Sequence, residues 1–415
     1  MVAGTIRVIW GMIPLLADTN DIPIRVVIAR WLMYGSIPSL TRVIPGLCMV
    51  RQVRCWKSVT DYRYVRITGR YLCLRQNPFL LARAVLFKAD STPDFINLKT
   101  VASLLIYQLR LRQSSSALRL PISGTWCLPL RSGYKVFDIQ RKTVTKLFSP
   151  EVDDAVVEQE IKRVTEVADF EFTPSVFRWS VAERWYEEEY VFGTSGANIA
   201  PGDPVLFMDS YYENIEPCLE KMILAKQPQQ KDLSGSVELL VEKTAQVLSG
   251  LQDNWPDEVS AIREFVDSIT RKLVNHQQAS LFKVFSHGDF HLYNVFATPN
   301  GVRVIDWEGI EQQFLLSDFY NYFFSQLWVG DIRSDLTAEV DEALASLQVR
   351  LQISAPELAN NMRGLAPVYR WLFYLERIDA LITVFHSDPP KTLVWVDIYR
   401  KFENLCAEKQ VLLSA

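Results

Sequence analysis

One stretch constrains this chain more than any other. Phe285-Ser-His-Gly-Asp-Phe-His-Leu-Tyr-Asn294 runs straight into Val295-Phe-Ala-Thr-Pro-Asn-Gly-Val-Arg-Val-Ile305 and ends in Asp306-Trp-Glu308. Asn300-Gly301 between two apolar runs is a strong signal for a two-residue hairpin. That reading sets residue 299 opposite 302 and, by the same register, Asn294 opposite Trp307 and beside Asp306. Two oxygen-bearing side chains at the open end of one hairpin, with backbones about 5 to 8 Å apart, suit a hard cation. Magnesium fits best, because it takes one or two protein oxygens and completes its octahedron with water and phosphate. Asp289, five residues before Asn294, lies in the loop that enters the hairpin, placed to accept a proton from a hydroxyl attacking phosphorus.

Upstream, the pattern from Tyr134 to Ile139, a polar turn at Gln140-Arg-Lys142 and the run Thr143 to Phe148 predict a hairpin. A period of two puts Val144, Lys146 and Phe148 on one face, so a lysine shares its side with apolar neighbours. A helix is expected to open near Ser149-Pro150-Glu151 and run through Val156, Val157, Ile161, Val164 and Ala168. Glu160 falls on the inward edge of its apolar face. Two more strands are read between Val176 and Phe192, ending in Glu187-Glu-Glu-Tyr-Val-Phe-Gly193, with Thr194-Ser-Gly-Ala197 as a hinge-like connector. Beyond it the chain reads as mostly helical, with a Gln-rich loop at 227–230 and aromatic helices near Phe319–Trp328 and Tyr369–Phe385.

His287-Gly-Asp-x-x-x-x-Asn294 followed by Ile305-Asp-Trp307 resembles the signature of aminoglycoside phosphotransferases and choline kinases, distant relatives of protein kinases. The resemblance implies an α+β, two-lobed protein-kinase-like fold, with a small antiparallel-sheet N-lobe, a mostly helical C-lobe and here a basic N-terminal extension. It divides the chain into an extension at 1–123, an N-lobe and hinge at 124–193, and a C-lobe at 194–415. It implies that Lys146 grips the ATP α- and β-phosphates, that Glu160 holds Lys146, and that backbone groups of Glu189 and Val191 meet adenine. Asp289 becomes the catalytic base, Asn294 and Asp306 the magnesium ligands, and His287 the brace of the catalytic loop. Asp318 matches a later aspartate used structurally in such proteins. The protein-kinase glycine loop is absent, and Leu130-Arg-Ser-Gly133 supplies only Ser132 and Gly133 as a looser phosphate cover. Trp307-Glu308 stands where protein kinases have Phe-Gly, which resembles small-molecule kinases.

Charge marks a boundary. Residues 1–123 carry 17 basic and 5 acidic side chains with no glutamate, a net of +12, whereas the remainder carries −16. The run Val8–Ala17 has the look of a secretory signal, but Asp18 follows at once. Pro38 and Pro45 interrupt the apolar stretch Trp31–Val50, so a spanning helix is not expected there, though a basic, apolar arm suits peripheral contact with a membrane. Six scattered cysteines without a C-x-x-C pair fit reduced thiols in the cytoplasm, including its membrane face. Nucleic-acid binding has only charge behind it, without a recognition motif.

The expectation is an ATP- and magnesium-dependent phosphotransferase that moves a γ-phosphate to a hydroxyl of a small molecule. An amino alcohol, an aminoglycoside-like compound, a sugar and a sugar-lipid all remain open as acceptors. His291, Asp318, Tyr320, Trp371 and Glu376, with Asn321 and Tyr374, are the candidate acceptor-side residues. The alternative is a nucleotide-binding pseudokinase or scaffold recruited through the basic N-terminal segment.

Overall fold

The computed structural model describes residues 62–67, 70–73, 118–196, 204–326, 336–384 and 389–414. Most of the basic N-terminal segment, including Trp31–Val50 and Gln113–Ser116, lies outside the described residues, as do Ala197, Trp328 and Phe385. The chain divides into two compact units, Met1–Phe192 and Gly193–Ala415.

The first unit is built on an eight-stranded antiparallel sheet. Its strands are β1 (Tyr62–Ile67), β2 (Arg70–Cys73), β3 (Leu118–Leu120), β4 (Trp126–Leu130), β5 (Gly133–Asp138), β6 (Thr143–Phe148), β7 (Val176–Ser180) and β8 (Trp185–Glu189), in the spatial order β3-β1-β2-β4-β5-β6-β8-β7. The sheet therefore begins upstream of residue 124, where the sequence reading started the lobe. Tyr62–Ile67 mixes two arginines, three residues apart, with aromatic and aliphatic residues, which fits no clean strand period, and its pairing with β2 and β3 makes it a strand. The predicted hairpin is β5–β6, with Val136 facing Thr145 and Phe137 facing Val144. Its turn is fixed by Asp138, whose Oδ1 accepts from the Gln140 and Arg141 amides, and by Lys142 at φ 55°. Trp126 stacks on Phe137 at 3.8 Å between ring centroids, and Cys127, Val136, Leu147 and Leu120 form a core cluster with Tyr134 and Trp185 against it.

Helix α1 spans Asp154–Glu166, opening later than Ser149 because Asp153 is the N-cap, its carboxylate accepting from the Ala155 amide at 2.8 Å. Val157, Glu160, Ile161 and Val164 are buried, whereas Val156, expected on the same face, points to solvent. The helix packs against β7 and β8.

The second unit opens with β9 (Thr194–Ser195), where a hinge-like connector was expected. It pairs with a later strand, and a Cβ on Gly193 would lie 2.3 Å from the Ala297 carbonyl oxygen. Then follow α2 (Pro204–Ser210), a π-helical turn (Tyr211–Ile215), α3 (Glu216–Leu224), β10 (Gln229–Asp232), α4 (Leu233–Leu251), α5 (Pro256–Val274) and β11 (Ser280–Ser286). Next come β12 (Val295–Thr298), β13 (Gly301–Val304), β14 (Glu311–Phe314), α6 (Ser317–Ser325), α7 (Leu336–Ser354), α8 (Pro356–Val384) and α9 (Pro389–Ser414). The Gln-rich segment is thus partly strand. All four β10 side chains are exposed, so no hydrophobic alternation announces them, and backbone pairing with β11 makes the strand. Aromatic side chains of α6, among them Phe319, Tyr322 and Phe323, pack with Phe207 and Tyr211 in the core of this unit. No helix among the described residues is long and apolar enough to cross a membrane.

Candidate active site

Hairpin β12–β13 exists as predicted, but its register differs. Thr298 faces Gly301 and Val295 faces Val304, so the turn is centred on Pro299-Asn300. Pro299 is pre-set for the first central position of a turn. Gly301 takes φ 97°, and Thr298 Oγ1 accepts from the Asn300 amide at 3.2 Å. Asn294 consequently sits opposite Ile305, whose amide donates to the Asn294 carbonyl at 2.9 Å, and not opposite Trp307. Asp306 follows directly, so the two oxygen-bearing residues still flank the open end.

The loop between β11 and β12 is held from three sides. Buried His287 accepts from the Asp289 amide at Nδ1 (3.2 Å), which leaves Nε2 to donate to the Ile305 carbonyl at 2.9 Å. That pattern requires a neutral imidazole, and burial lowers the His287 pKa accordingly. Asp318, in the first turn of α6, accepts from the His287 amide at 2.7 Å and from the Gly288 amide at 3.2 Å. Burial pushes its carboxyl up, against the His287 and Gly288 groups that favour the ionised form. Ser325 Oγ accepts from the Leu292 amide at 3.1 Å. Gly288 has φ 84°, and a Cβ there would fall 2.1 Å from the Gly309 carbonyl oxygen, so H-G-D requires its glycine for a backbone-to-backbone approach. The Trp307 ring packs at 4.5 Å on His287 while its Nε1 donates to the Val304 carbonyl.

Asn294 is buried and donates from Nδ2 to the Asp289 carbonyl at 3.0 Å, which turns its Oδ1 the other way. Asp306 is in the left-handed region at φ 67°, a costly conformation for a non-glycine residue of the kind concentrated at functional sites. An orientated amide oxygen and a carboxylate on adjoining backbone are donors of the hard-oxygen type that magnesium prefers.

Asp289 is the exposed member of the group, its side chain 45% accessible. His291 accepts from the Tyr293 amide at Nδ1, so its Nε2 donates to Asp289 Oδ2 at 3.3 Å. Arg377 of α8 approaches the other oxygen, with Nη2 and Nη1 at 3.4 and 3.5 Å from Oδ1. Burial alone would raise this carboxyl, but the His291 hydrogen bond and the Arg377 charge outweigh it and lower the pKa to about 2.

In the first unit, Lys146 Nζ lies 2.5 Å from Glu160 Oε1, with side chains 1% and 10% exposed, and the Tyr186 hydroxyl donates to the same oxygen at 3.3 Å. Ser132 is in the two-residue turn between β4 and β5, where its carbonyl accepts from the Ser149 amide. Gly133 packs so closely on β6 that a Cβ would lie 2.1 Å from the Leu147 oxygen. Glu189 ends β8 with its amide donating to the Ser175 carbonyl, and Val191 follows the last strand bond, from the Tyr190 amide to the Lys142 carbonyl.

The acceptor-side candidates scatter. Tyr320 is fully buried and donates to the Ala366 carbonyl, and Asn321 is buried on the same helix. Trp371 and Tyr374 both donate to Glu403 of α9, with Lys272 above the Trp371 ring, so both belong to the α5–α8–α9 packing. Glu376 accepts from Ser317 Oγ, and burial raises its pKa to about 7. Only His291 among them touches Asp289. Sequence reading passed over Arg377, which is 88 residues from Asp289 and lies on a helix where Arg370, seven residues earlier, pairs with Glu403. No spacing rule separates the two.

A small antiparallel-sheet unit followed by a mostly helical unit that carries this loop is the order that the sequence resemblance implies. Residues 220–353, about a third of the chain, match the family described as the phosphotransferase enzyme family, APH, as the H-G-D-x-x-x-x-N motif led one to expect. No curated protein matches. Among solved structures the chain is similar to a glucosamine kinase, at 16% identity over 75% of this chain and 84% of that one, with a TM-score of 0.47. It is also similar to the choline kinase LicA from Streptococcus pneumoniae (12%, 57% and 90%, TM-score 0.36). A third is the aminoglycoside phosphotransferase APH(3'')-Id from Streptomyces rimosus (15%, 60% and 90%, TM-score 0.40).

Proposed function

We propose that this chain is a small-molecule kinase that moves the γ-phosphate of ATP, with magnesium, to a hydroxyl group. The observation that carries the reading is the loop from His287 to Asn294, in which buried braces surround one exposed carboxylate, Asp289. Phosphoryl transfer asks little covalent chemistry of a protein and much alignment and charge neutralisation. Asp289, ionised at neutral pH, orients the attacking hydroxyl and takes its proton. In a loose transition state that proton leaves late, so a weakly basic carboxylate suffices. Asn294 and Asp306 would hold the magnesium ion, which neutralises phosphate charge. Lys146, fixed by Glu160, would grip the α- and β-phosphates; the Glu189 and Val191 backbone would meet adenine; the Ser132–Gly133 turn would cover the phosphates. His287 acts as a brace, in keeping with its neutral, doubly hydrogen-bonded ring. The division into an extension, an N-lobe and a C-lobe, and peripheral membrane contact through the basic segment, belong to the same proposal. Salt-sensitive pelleting with anionic liposomes tests that contact.

Thermal unfolding of the full chain with and without Mg-ATP tests the nucleotide site. At 100 times its dissociation constant the ligand adds about 2.7 kcal/mol. Asp306→Ala should lose that magnesium-dependent gain. Asp289→Asn should keep it while ADP formation falls about 10²- to 10⁴-fold. Stabilisation without turnover in the unaltered chain would leave a nucleotide-binding protein, and no stabilisation would sink both readings.

A further inference from the structure

The charge inventory around Asp289 says something about the acceptor. An alcohol carrying an ammonium group needs a carboxylate free to receive it, and several carboxylates of this unit already have partners. Asp289 meets Arg377 and His291; Asp318 accepts two backbone amides; Glu403 meets Arg370 and Lys272; Glu216 meets Arg350. Asp379 meets Lys243 of α4 through Oδ2 at 2.5 Å, while its buried Oδ1 has no hydrogen-bond partner among the described residues. It lies two residues beyond Arg377, about 200° around the helix and so on another face.

Arg377 is the reverse case. Its side chain is 19% exposed, and its guanidinium makes no forked pair. Both Nη atoms converge on the single oxygen Oδ1 at 3.4 and 3.5 Å, while Oδ2 is taken by His291. A bidentate arginine–carboxylate pair uses both oxygens at about 2.7 to 2.9 Å. Arg377 Nε is buried and has no hydrogen-bond partner among the described residues. A rigid five-donor cation, held loosely beside the proposed base with donors unfilled, has the fork geometry that carboxylate and phosphate oxygens satisfy.

We infer that the acceptor is an alcohol bearing an oxyanion, a carboxylate or phosphate close to the reacting hydroxyl, and that Arg377 is the residue that reads it. The inference rests on the kinase reading and deepens it: Asp289 takes the hydroxyl and Arg377 the anion, so one substrate spans an existing ion pair. Choline-like and aminoglycoside-like acceptors would instead bring positive charge to an arginine.

The test is ligand-observed saturation-transfer NMR on the full chain with magnesium and a non-hydrolysable ATP analogue. The probes are D-glycerate, D-glucuronate and glycerol 3-phosphate, set against ethanolamine, choline and D-glucosamine. At least one acid should bind, in preference to every amine. Arg377→Gln should weaken it about 10- to 100-fold, the loss expected for a charged hydrogen-bonding partner, and Arg377→Lys should restore part. Glycerate against glycerol 3-phosphate separates carboxylate from phosphate. Preference for an amine, binding of no acid, or acid binding unchanged in Arg377→Gln overturns the inference. Should Arg377→Gln fail to fold, the preference of the unaltered chain and the Arg377→Lys affinity decide. Mg-ATP stabilisation measured in parallel distinguishes the failures, because its retention with failed acid binding removes the acceptor class and leaves the kinase.

Discussion

Breaking the Lys146–Glu160 pair separates what it does for the fold from what it does for the nucleotide. The two charges are 2.5 Å apart and almost wholly enclosed by β6, β8 and α1, with the Lys146 ammonium also 5.3 Å from the Phe148 ring. Removing one partner of a buried pair strands the other charge away from water, at a cost of about 3 to 5 kcal/mol. Lys146→Met and Glu160→Leu should each pay it. For a unit of this size, about 2 to 4 °C of midpoint per kcal/mol gives a drop of about 6 to 20 °C. The double variant puts two apolar side chains of similar volume against each other, and such replacements are often neutral or stabilising. Its midpoint should therefore return to that of the unaltered chain or exceed it, by differential scanning calorimetry, while Mg-ATP stabilisation stays lost. Single losses below about 1 kcal/mol, or a double variant whose loss is the sum of the singles, would refute the argument that the pair is a desolvated, mutually dependent unit.

Two further outcomes follow from the second unit. Glu376 has its carboxyl raised from 4.5 to about 7 by burial, so its protonated form favours the native state. Its contribution is complete below pH 4.5 and disappears as pH rises to about 7. Two to three pH units at 1.36 kcal/mol each make this about 3 kcal/mol. Urea titrations of the unaltered chain and Glu376→Gln should diverge by that amount between pH 4.5 and 7 and run parallel above it, and parallel curves throughout would remove the burial argument. Gly288→Ala adds a Cβ 2.1 Å from the Gly309 oxygen at φ 84°. It should cost more than about 1 to 3 kcal/mol, the strain of such backbone alone, and abolish ADP formation; an unchanged melt would mean that the loop is not held as described.

Some of this site is legible in a one-dimensional string because the chain makes it locally. His287, Asp289, Asn294 and Asp306 lie within 20 residues, and the separation between a loop and the hairpin after it fixes their order in space. Lys146 and Glu160 are readable for a similar reason: a strand period of two and a helical face place both inward, and their 2.5 Å contact joins one element to the next. The register of β12–β13 went astray by competition between turn signals. Asn300-Gly301 and Thr298-Pro299 both fit a turn, and Pro299 took the central position while Gly301 supplied the positive φ.

The sequence by itself determined the sheet-then-helix order of the units and the hairpin that brings Asn294 beside Ile305 and Asp306, because these follow from short-range periodicity, turn geometry and residue type. Tertiary structure alone decided which aromatic residues are core, that β10 and β1 are strands, and that Arg377 meets Asp289. Trp371 and Tyr374 are aromatic on an amphipathic helix whether they line an acceptor site or pack against Glu403, and only the packing of α5, α8 and α9 distinguishes the two. Arg377 and Asp289 are 88 residues apart, and a contact over that distance is set by how α8 docks on the loop, for which no local pattern in the chain carries a signal.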